Sequence, residues 1–385
     1  MARKKILWLC SWYPSEVDKF NGDFIQRHAL AAALYNDIYV IYIAGDEKGL
    51  INETKEAIIH QEGLTEHLVY FRKQSSLTGK VISQYRWLYL FKKAIKQYFT
   101  RNGKPDLVHV HVPVKAGIPA LWIKRKYDVP YIVTEHWGIY NAVEQLNYSR
   151  RSRVFKKYTK AIFRGSLTFI SVSKYLAEGV NRQVIKKEYE IIPNVVDTNL
   201  FYYSGRRPVN EFRFIHVSNM VPLKNAEGIL RAFKSLLEKR NDVELVMVGN
   251  ANNTISDYSL ALGLPGNKVF FRGEVPYKEV AAEMLESDCL LVFSNIENSP
   301  CVIGEALCCG LPVIATNAGG IPELINQGNS VMVEPKDEAG LMAAMQEVIK
   351  RYEKYNRKKI AEDAQGKFSY DVVGKKLSEI YSQVI

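Results

Sequence analysis

The sequence predicts two doubly wound parallel α/β sheets, one in each half of the chain. Apolar runs of strand length alternate with amphipathic segments of helix length throughout, which is the pattern of a parallel sheet covered by helices on both faces. The 385 residues, of which 47% are hydrophobic, suffice for two separate cores. A polar stretch containing Gly and Pro, 204–210, separates the halves. We therefore expect one domain over 1–204 and another over 205–369, with a C-terminal helix over 370–385.

The strands follow from the positions of the apolar runs. In the first half we expect them at 5–10, 38–43, 68–71, 107–111, 131–134, 168–172 and 190–192. In the second half we expect them at 212–218, 243–248, 269–272, 289–294, 312–315 and 331–333. The carboxyl ends of such strands lead into loops at one edge of the sheet, which is where open α/β sheets bind ligands.

The net charge of +11 comes from the first half of the chain. Residues 1–200 hold 31 Lys and Arg against 18 Asp and Glu, whereas residues 201–385 hold 21 against 23. Two basic segments, 86–93 and 150–164, also carry aromatic residues and no acidic residue. Such segments suit an anionic membrane surface, and a solvated face on ordinary helices has the same composition.

The cysteines and the N-terminus indicate where the protein acts. Five cysteines lie within or beside apolar runs without metal-site spacing, so we expect reduced, packed thiols in a cytoplasmic protein. The apolar run that follows the basic N-terminus has five residues, too few for a signal peptide. No run of eighteen apolar residues occurs, which disfavours a membrane-spanning helix.

The most informative segment, 293–323, places two carboxylates at one crevice. Glu297 falls in the loop after the strand expected at 289–294, where open α/β sheets bind ligands. Glu305 lies within the first two turns of the next helix. A carboxylate there can accept hydrogen bonds from two vicinal hydroxyls, as a ribose offers.

The helix between these carboxylates is predicted to begin at the crevice. Ser299 is the expected N-cap, and Pro300 is the expected first helical residue. The backbone N–H groups of Cys301 and Val302 would then point into the crevice. Together with the helix dipole, these donors favour a phosphate ligand.

These residues resemble the family 4 glycosyltransferases of the retaining type. The matching features are the E-x7-E pair of Glu297 and Glu305, a G-L-P segment at 310–312 and a G-G-I-P-E segment at 319–323. The resemblance covers nearly the whole chain and implies the GT-B fold, in which two Rossmann-like domains face a cleft. It also implies that the helix at 370–385 packs back onto the first domain. The implied reaction moves a sugar from a UDP- or GDP-linked donor to an acceptor hydroxyl.

The resemblance assigns most donor contacts to the second domain. Glu297 is expected at the sugar, Glu305 at the ribose, and Val275 beside the base. Lys224, together with the amides after Ser299, is expected at the diphosphate. A solvated surface lysine is the ordinary alternative for a residue of this type.

One position departs from the family pattern. Asn219 stands five residues before Lys224, where an arginine is common in the family. One fixed positive charge is therefore present where two are usual, and this bears on phosphate affinity or on the preferred donor.

Gly22 and His136 are the contacts expected from the first domain. Gly22 precedes a helical run, where a glycine lets the backbone approach a donor phosphate or an acceptor, or simply forms a turn. His136 follows the strand at 131–134, and packing is the common role of a histidine. The resemblance places it at the transferred sugar, as a hydrogen-bonding group rather than a proton acceptor.

No metal and no other cofactor is expected. His109 and His111 lie on one face of a strand without a third ligand at useful spacing. No Asp-x-Asp motif is present to hold a divalent ion on a nucleotide sugar. Lys224 and helix N-termini would then stabilise the departing diphosphate.

The acceptor and the rival functions remain open in the sequence. A lipid-linked saccharide for bacterial surface polysaccharide, met at the inner face of the cell membrane, suits the basic first half, and no nucleic acid is expected. A nucleotide-sugar epimerase of the same fold would need no acceptor. A non-catalytic basic protein that binds membrane or nucleic acid would have no use for Glu297 and Glu305 in the neutral half. The motifs do not specify the sugar, the base or the linkage.

Overall fold

The chain divides into two compact units. The computed structural model describes residues 3–141, 147–205, 211–249 and 253–385. One unit comprises Met1–Val195 with Tyr370–Ile385, and the other comprises Val196–Ser369. The division falls at 195/196, nine residues before the expected 204/205 boundary, because Val196 and Phe201 are buried in the second unit's core. Residues 206–210 of the polar stretch lie outside the described residues.

The first unit is built on one sheet with helices between its strands. In the described residues the strand order is β3-β4-β2-β1-β5-β6-β7-β8. Its strands are β1 Lys5–Cys10, β2 Asp37–Asp46, β3 Lys55–Gln61, β4 Leu64–Arg72, β5 Leu107–His111, β6 Tyr131–Glu135, β7 Phe169–Ser171 and β8 Glu190–Ile191. Its first five helices are α1 Asp23–Ala33, α2 Leu77–Asn102, α3 Pro113–Tyr127, α4 Arg153–Gly165 and α5 Lys174–Gln183.

Helices cover this sheet on both faces. Successive residues of a strand point to opposite faces, and along β1 the alternate residues Leu7 and Leu9 enter one apolar cluster. Ile6 and Trp8 enter a second cluster on the other face. Burial on both faces explains why the strands appear in the sequence as continuous apolar runs.

Strand β3 is absent from the sequence prediction and makes the first sheet mixed. It pairs antiparallel with β4 at the edge of the sheet, whereas the other pairs of this sheet are parallel. Most of its residues are exposed, so it lacks the apolar run by which the other strands were recognised. A charged, solvated edge strand of this kind also resists pairing with another chain.

The second unit contains a wholly parallel sheet. In the described residues its order is β11-β10-β9-β12-β13-β14. The strands are β9 Phe212–Val217, β10 Val243–Val248, β11 Val269–Gly273, β12 Cys289–Val292, β13 Val313–Thr316 and β14 Ser330–Val333. The helices are α6 Ala226–Leu237, α7 Asn253–Ala261, α8 Tyr277–Leu285, α9 Cys301–Cys308, α10 Glu338–Arg351 and α11 Arg357–Phe368.

The last helix, α12 Tyr370–Val384, belongs to the first unit. Its residues Val373 and Leu377 are buried in the cluster that contains Ile6 and Trp8. A 2.8 Å hydrogen bond joins the Tyr381 hydroxyl to Nδ1 of His109. The first unit's core is therefore completed by the C-terminal segment.

Two further sequence expectations concern cysteines and membrane spans. All five cysteines are thiols outside any disulfide; four are buried and Cys301 is half-buried. In the part of the chain that the structure describes, no helix combines the length and apolarity needed to cross a bilayer.

Candidate active site

The second sheet has its topological switch point between β9 and β12. The chain builds outward from β9 to β10 and β11 on one side, and then returns to place β12 on the other side of β9. Loops that leave two such strands diverge and open a crevice at their carboxyl ends, where α/β sheets bind ligands. Lys224 follows β9, in a single 3-10 turn at Pro222–Lys224. Glu297 follows β12.

Lys224 and Glu297 meet in this crevice. Nζ of Lys224 lies 2.5 Å from Oε1 of Glu297, and the Ser294 hydroxyl donates to the same oxygen at 2.8 Å. Glu297 is only 8% exposed, so its charge needs these partners. An ammonium group has three N–H donors, and the carboxylate occupies one of them in Lys224. The pair therefore fixes a positive group whose other donors can bind an anion.

Backbone contacts hold the two loops together. The Asn295 amide donates to the Leu223 carbonyl oxygen at 2.8 Å, which joins the loop after β12 to the turn that carries Lys224. On its other side, the Glu297 carbonyl oxygen accepts the Gly320 amide at 2.9 Å. Gly319 has φ +61°, and a Cβ on it would lie 1.9 Å from that carbonyl oxygen. Only glycine fits at 319, which explains the first glycine of the G-G-I-P-E segment.

Helix α9 begins one residue later than the sequence predicted. Pro300 is the N-cap, with φ −68° and ψ 121°, rather than the first helical residue. Ser299 precedes the cap and is not the cap itself, because an extended Pro300 stands between it and the helix. Cys301 and Val302 open the first turn, so the positive end of the helix dipole lies just after the Glu297 loop.

Glu305 lies one turn into α9 and is held by a tyrosine. It is 3% exposed, and the Tyr277 hydroxyl donates to its Oε1 at 2.9 Å. Tyr277 opens α8, two residues after Val275, which packs against the core beneath α9. The structure thus brings Val275 and Glu305 to the same side of the sheet. Tyr277 was not predicted from the sequence. The available signal was its position two residues after Val275, a predicted contact.

His216 is a second group that the sequence analysis missed. Its Nδ1 donates to the Leu291 carbonyl oxygen at 2.9 Å, and its Nε2 lies 2.7 Å from the Ser218 hydroxyl. Burial lowers the pKa of His216 to about 4, so the ring is neutral and Nε2 accepts from Ser218. This link ties β9 to β12 just below the crevice. Asn219, one residue beyond Ser218, is exposed.

The predicted residues of the first unit lie at the carboxyl edge of its sheet. Gly22 is the N-cap of α1 with φ +74°, and a Cβ on it would approach the Trp12 backbone to 2.8 Å. His136 follows β6, and its ring lies 5.0 Å from the ring of Phe24 in the first turn of α1. Gly22 and His136 are therefore neighbours at one edge.

His136 is a buried, neutral imidazole. It is 8% exposed, and burial, followed by the charges that His28 and His109 would carry, holds its pKa well below the usual range. Its Nε2 lies 3.3 Å from Nδ1 of His111. Among the described residues its Nδ1 has no hydrogen-bond partner. A buried polar atom without a partner is costly, and a sugar hydroxyl would satisfy it.

Glu135 supports His136 and was not singled out in the sequence. Its Oε1 accepts the amides of His136 and Trp137, both at 2.9 Å. The Tyr140 hydroxyl donates to its Oε2 at 2.8 Å. Burial raises the pKa of Glu135 to about 7, although these three hydrogen bonds act in the opposite direction. Glu135 therefore fixes the backbone that presents His136.

Metal binding was not expected, and His109 of β5 has structural partners on both of its ring nitrogens. His109 bonds Tyr381 at 2.8 Å through Nδ1 and Thr134 at 2.7 Å through Nε2. No group of three or more His, Cys, Asp and Glu side chains in the described residues is arranged to hold a metal ion. Metal independence stays a prediction.

Two family models match the chain. The model for Glycosyltransferase Family 4 matches residues 28–200, and the model for Glycosyl transferases group 1 matches residues 204–365. The first match contains His136. The second contains Lys224, Glu297 and Glu305.

Curated relatives match over most of their lengths. The chain is 24% identical to the putative teichuronic acid biosynthesis glycosyltransferase TuaC of Bacillus subtilis, over 91% of this chain and 89% of the relative. It is 26% identical to the uncharacterized glycosyltransferase MJ1178 of Methanocaldococcus jannaschii, over 86% and 87%.

Solved structures show the same fold. The sucrose-phosphate synthase of Thermosynechococcus elongatus matches with a TM-score of 0.77 at 20% identity, covering 99% of both chains. HepE of Anabaena, solved with UDP-glucose, matches with a TM-score of 0.72 at 20% identity, covering 99% of this chain and 100% of that one. These neighbours have the GT-B fold that the sequence predicted. The two family matches together span both units, and they show that this chain belongs to the family 4 glycosyltransferases.

Proposed function

We propose that this protein is a retaining glycosyltransferase that uses a UDP- or GDP-linked sugar and a lipid-linked saccharide acceptor. The observation that carries the donor half of this proposal is the Lys224–Glu297 pair, set at the switch point beside the first turn of α9. A cation, helix amides and a carboxylate at one crevice match the diphosphate and the sugar of such a donor. HepE, which shares the fold, was solved with UDP and with UDP-glucose. TuaC is named for teichuronic acid biosynthesis, which supports a role in polysaccharide synthesis.

The donor is proposed to bind along α9. Glu305 accepts hydrogen bonds from the ribose hydroxyls, and Val275 flanks the base. The diphosphate takes the second and third N–H groups of Lys224 together with the amides of Cys301 and Val302. Among the predicted contacts, Asn219 and Gly22 carry no charge, so Lys224 supplies the fixed positive charge.

The reaction needs charge stabilisation at two points. The bond between the anomeric carbon and the diphosphate oxygen breaks, and its electron pair leaves with the diphosphate, where Lys224 and the α9 dipole stabilise it. Glu297 stabilises the positive charge that develops on the sugar ring. The acceptor hydroxyl attacks from the face that the diphosphate leaves, and its proton passes to a diphosphate oxygen. Neutral His136 donates or accepts a hydrogen bond at the sugar. No step requires a metal ion.

Glu297→Gln tests this role. The amide keeps the size of the side chain but removes the negative charge, so we expect kcat for sugar transfer to fall by about 100-fold or more. The melting temperature should stay near that of the wild type. Glu362→Gln, which changes an exposed carboxylate of the same unit, is the matched control and should keep full activity. Near-normal transfer by Glu297→Gln would remove this residue from the mechanism, and sugar conversion without any acceptor would favour an epimerase.

The lipid acceptor is supported by the surface of α2. Leu77, Val81, Tyr85 and Tyr89 are exposed and recur every four residues, so they form one apolar stripe on this helix. Basic residues flank the stripe: Lys80, Arg86, Lys92, Lys93 and Lys96. An apolar face bordered by Lys and Arg is the pattern of a helix that lies on an anionic bilayer surface.

Vesicle sedimentation tests the membrane proposal. We expect the wild type to sediment with phosphatidylglycerol vesicles at low salt, and less with phosphatidylcholine vesicles or at high salt. Leu77→Ser with Tyr85→Ser should weaken binding about tenfold, because apolar burial at the interface is lost. Leu260→Ser, an exposed apolar position on α7, is the control. Equal sedimentation of all three proteins would favour a soluble acceptor.

A further inference from the structure

The first unit contains a polar groove that the donor site does not use. A cavity of about 520 Å³ is lined by residues that include Glu47, Lys73, Lys80, Trp87 and Lys115. An adjoining cavity of about 330 Å³ shares four of these residues and extends to Trp12 and Asn21. We call the combined space the lysine groove. Its volume is that of a typical small-molecule site.

Positive charge dominates the lysine groove. Nζ of Lys73 lies 2.7 Å from Oε1 of Glu47. The hydrogen bond and charge of Lys73, followed by the charges of Lys115 and Lys80, lower the pKa of Glu47. Three ammonium groups thus surround one carboxylate. Lys48 and a second carboxylate, Asp18, line the second cavity as well, so lysines outnumber carboxylates in the combined space.

Two helix N-termini add to this charge. Helices α2 and α3 begin with Leu77 and Pro113, and neither has an acidic residue in its first turn. Lys80 and Lys115 stand there instead. A lysine at the positive end of a helix dipole destabilises the helix, and the mutual repulsion of the lysines adds to that cost. A bound anion would reverse both effects.

The groove also leads toward His136. Trp87 is half-buried in the wall of both cavities and offers a ring face of the kind on which sugars stack. At the other end, the ring of Trp12 lies 5.9 Å from the ring of Trp137, the residue after His136. An elongated ligand in the groove would therefore have one end among the lysines and the other near the residues proposed to meet the transferred sugar.

We propose that the lysine groove binds an anionic group of the acceptor, with a neighbouring sugar of the acceptor against Trp87. This inference rests on the proposed function, and it narrows the acceptor to a saccharide that carries a phosphate, a diphosphate or a carboxylate. These groups share the negative charge that the groove selects. The source is either the phosphate that links a saccharide to its lipid or an acidic sugar.

Titration with inorganic pyrophosphate tests the groove. All proteins carry Lys224→Gln, so that the donor crevice does not contribute. We expect this background to bind pyrophosphate, and Lys80→Gln with Lys115→Gln to weaken binding by about tenfold or more. Arg101→Gln removes the same charge from the same helix outside the groove and should leave the affinity unchanged. Melting temperatures without ligand should be equal or higher in the double variant, because repulsion is relieved.

The outcomes are separable. Glucuronate is titrated in the same way. The proposal would be overturned if the background protein bound neither pyrophosphate nor glucuronate. It would also be overturned if Lys80→Gln with Lys115→Gln left the affinity unchanged, or if Arg101→Gln caused an equal loss. Tighter binding of pyrophosphate than of glucuronate indicates the lipid phosphate as the source, and the reverse indicates an acidic sugar. A failure here leaves the expected Glu297→Gln result unchanged, so a failure of the groove proposal is distinguishable from a failure of the proposed transferase chemistry.

Discussion

Three buried glutamates, in the loop after β12, in helix α9 and at the end of β6, are held in three different ways. Glu297 pairs with an ammonium group, Glu305 accepts from a tyrosine hydroxyl, and Glu135 accepts from two backbone amides and a tyrosine. Each arrangement suits a different task. The ion pair places Glu297 beside an ammonium group at the crevice, whereas Glu135 acts as a scaffold for the segment that carries His136.

The protonation of Glu135 should make the first unit more stable in mild acid. Folding raises its pKa from 4.5 to about 7, so the folded state holds an extra proton between these two pH values. The stabilisation is complete below pH 4.5 and is lost as the pH rises through 7. For Glu135→Gln we expect this part of the pH dependence, up to about 3 kcal/mol, to disappear. Urea unfolding at pH 5 and pH 8 measures it.

Glu62→Gln, at an exposed carboxyl of the same unit, provides the control and should keep the wild-type pH profile. If Glu135→Gln and the wild type lose stability equally between pH 5 and pH 8, the carboxyl is ionised throughout that range.

The sequence motifs identify individual site residues, but not the residues that contact them. Glu297 and Lys224 were each recognisable from their positions after apolar strands. Their pairing was not, because 73 residues separate them and only the strand order brings β9 beside β12. His216 and Tyr277 were missed for the same reason. The Leu291 partner of His216 lies on β12, and the Glu305 partner of Tyr277 lies on α9.

The loop after β12 depends on the segment that follows β13. Gly319 combines a positive φ of +61° with an approach to the Glu297 carbonyl oxygen that leaves no room for a Cβ. This contact sets how far Glu297 extends into the crevice. The loops of this edge are thus fixed by each other as much as by the sheet beneath.

Gly319→Ala should therefore impair both stability and catalysis. The strained backbone costs roughly 1–3 kcal/mol, and the Glu297 loop must shift to admit the methyl group. We expect a lower free energy of unfolding and lower kcat, measured by urea unfolding and sugar transfer. Gly266→Ala, where a Cβ meets open space, should stay within about 0.5 kcal/mol of the wild type. If Gly319→Ala retained full activity, the Glu297 loop would not depend on this contact.

Strand prediction succeeded where burial on both faces made the sequence uniformly apolar. The expected strands at 5–10, 107–111 and 243–248 coincide with β1, β5 and β10. It failed for β3, whose exposed edge position leaves no apolar run. The start of α9 was displaced by one residue because proline suits both the N-cap and the first helical position, and only the backbone angles separate the two.

The first unit is discontinuous in sequence. Two adjacent residues, Val195 and Val196, mark the point where the chain passes from the first unit to the second. The Val195 carbonyl oxygen accepts from Nε of Arg27 at 3.2 Å within the first unit. The amide of Val196 donates to the Phe368 carbonyl oxygen at 2.9 Å within the second. No polar stretch marks this point in the sequence, which explains why the predicted boundary falls at the more conspicuous segment after residue 204.

Leu377→Ala should destabilise the first unit alone. This side chain is buried in the core beside Ile6 and Trp8, and its truncation costs about 2–5 kcal/mol. We expect faster hydrogen exchange of amides in β1 and α1 and unchanged exchange in β9 and β12. Lys376→Ala, at the adjacent exposed position, is the control. Equal acceleration in both units would show that they unfold as a single cooperative body.

The late position of α12 also sets the order in which the protein can fold as it is made. Residues 196–369 leave the ribosome as a complete set, so the second unit can close its core while translation continues. Most of the first unit has emerged by then. The side of its sheet that α12 covers stays open to solvent until α12 is translated. We therefore expect chaperones that recognise apolar surface to bind the first unit for longer than the second, although most of the first unit is synthesised earlier.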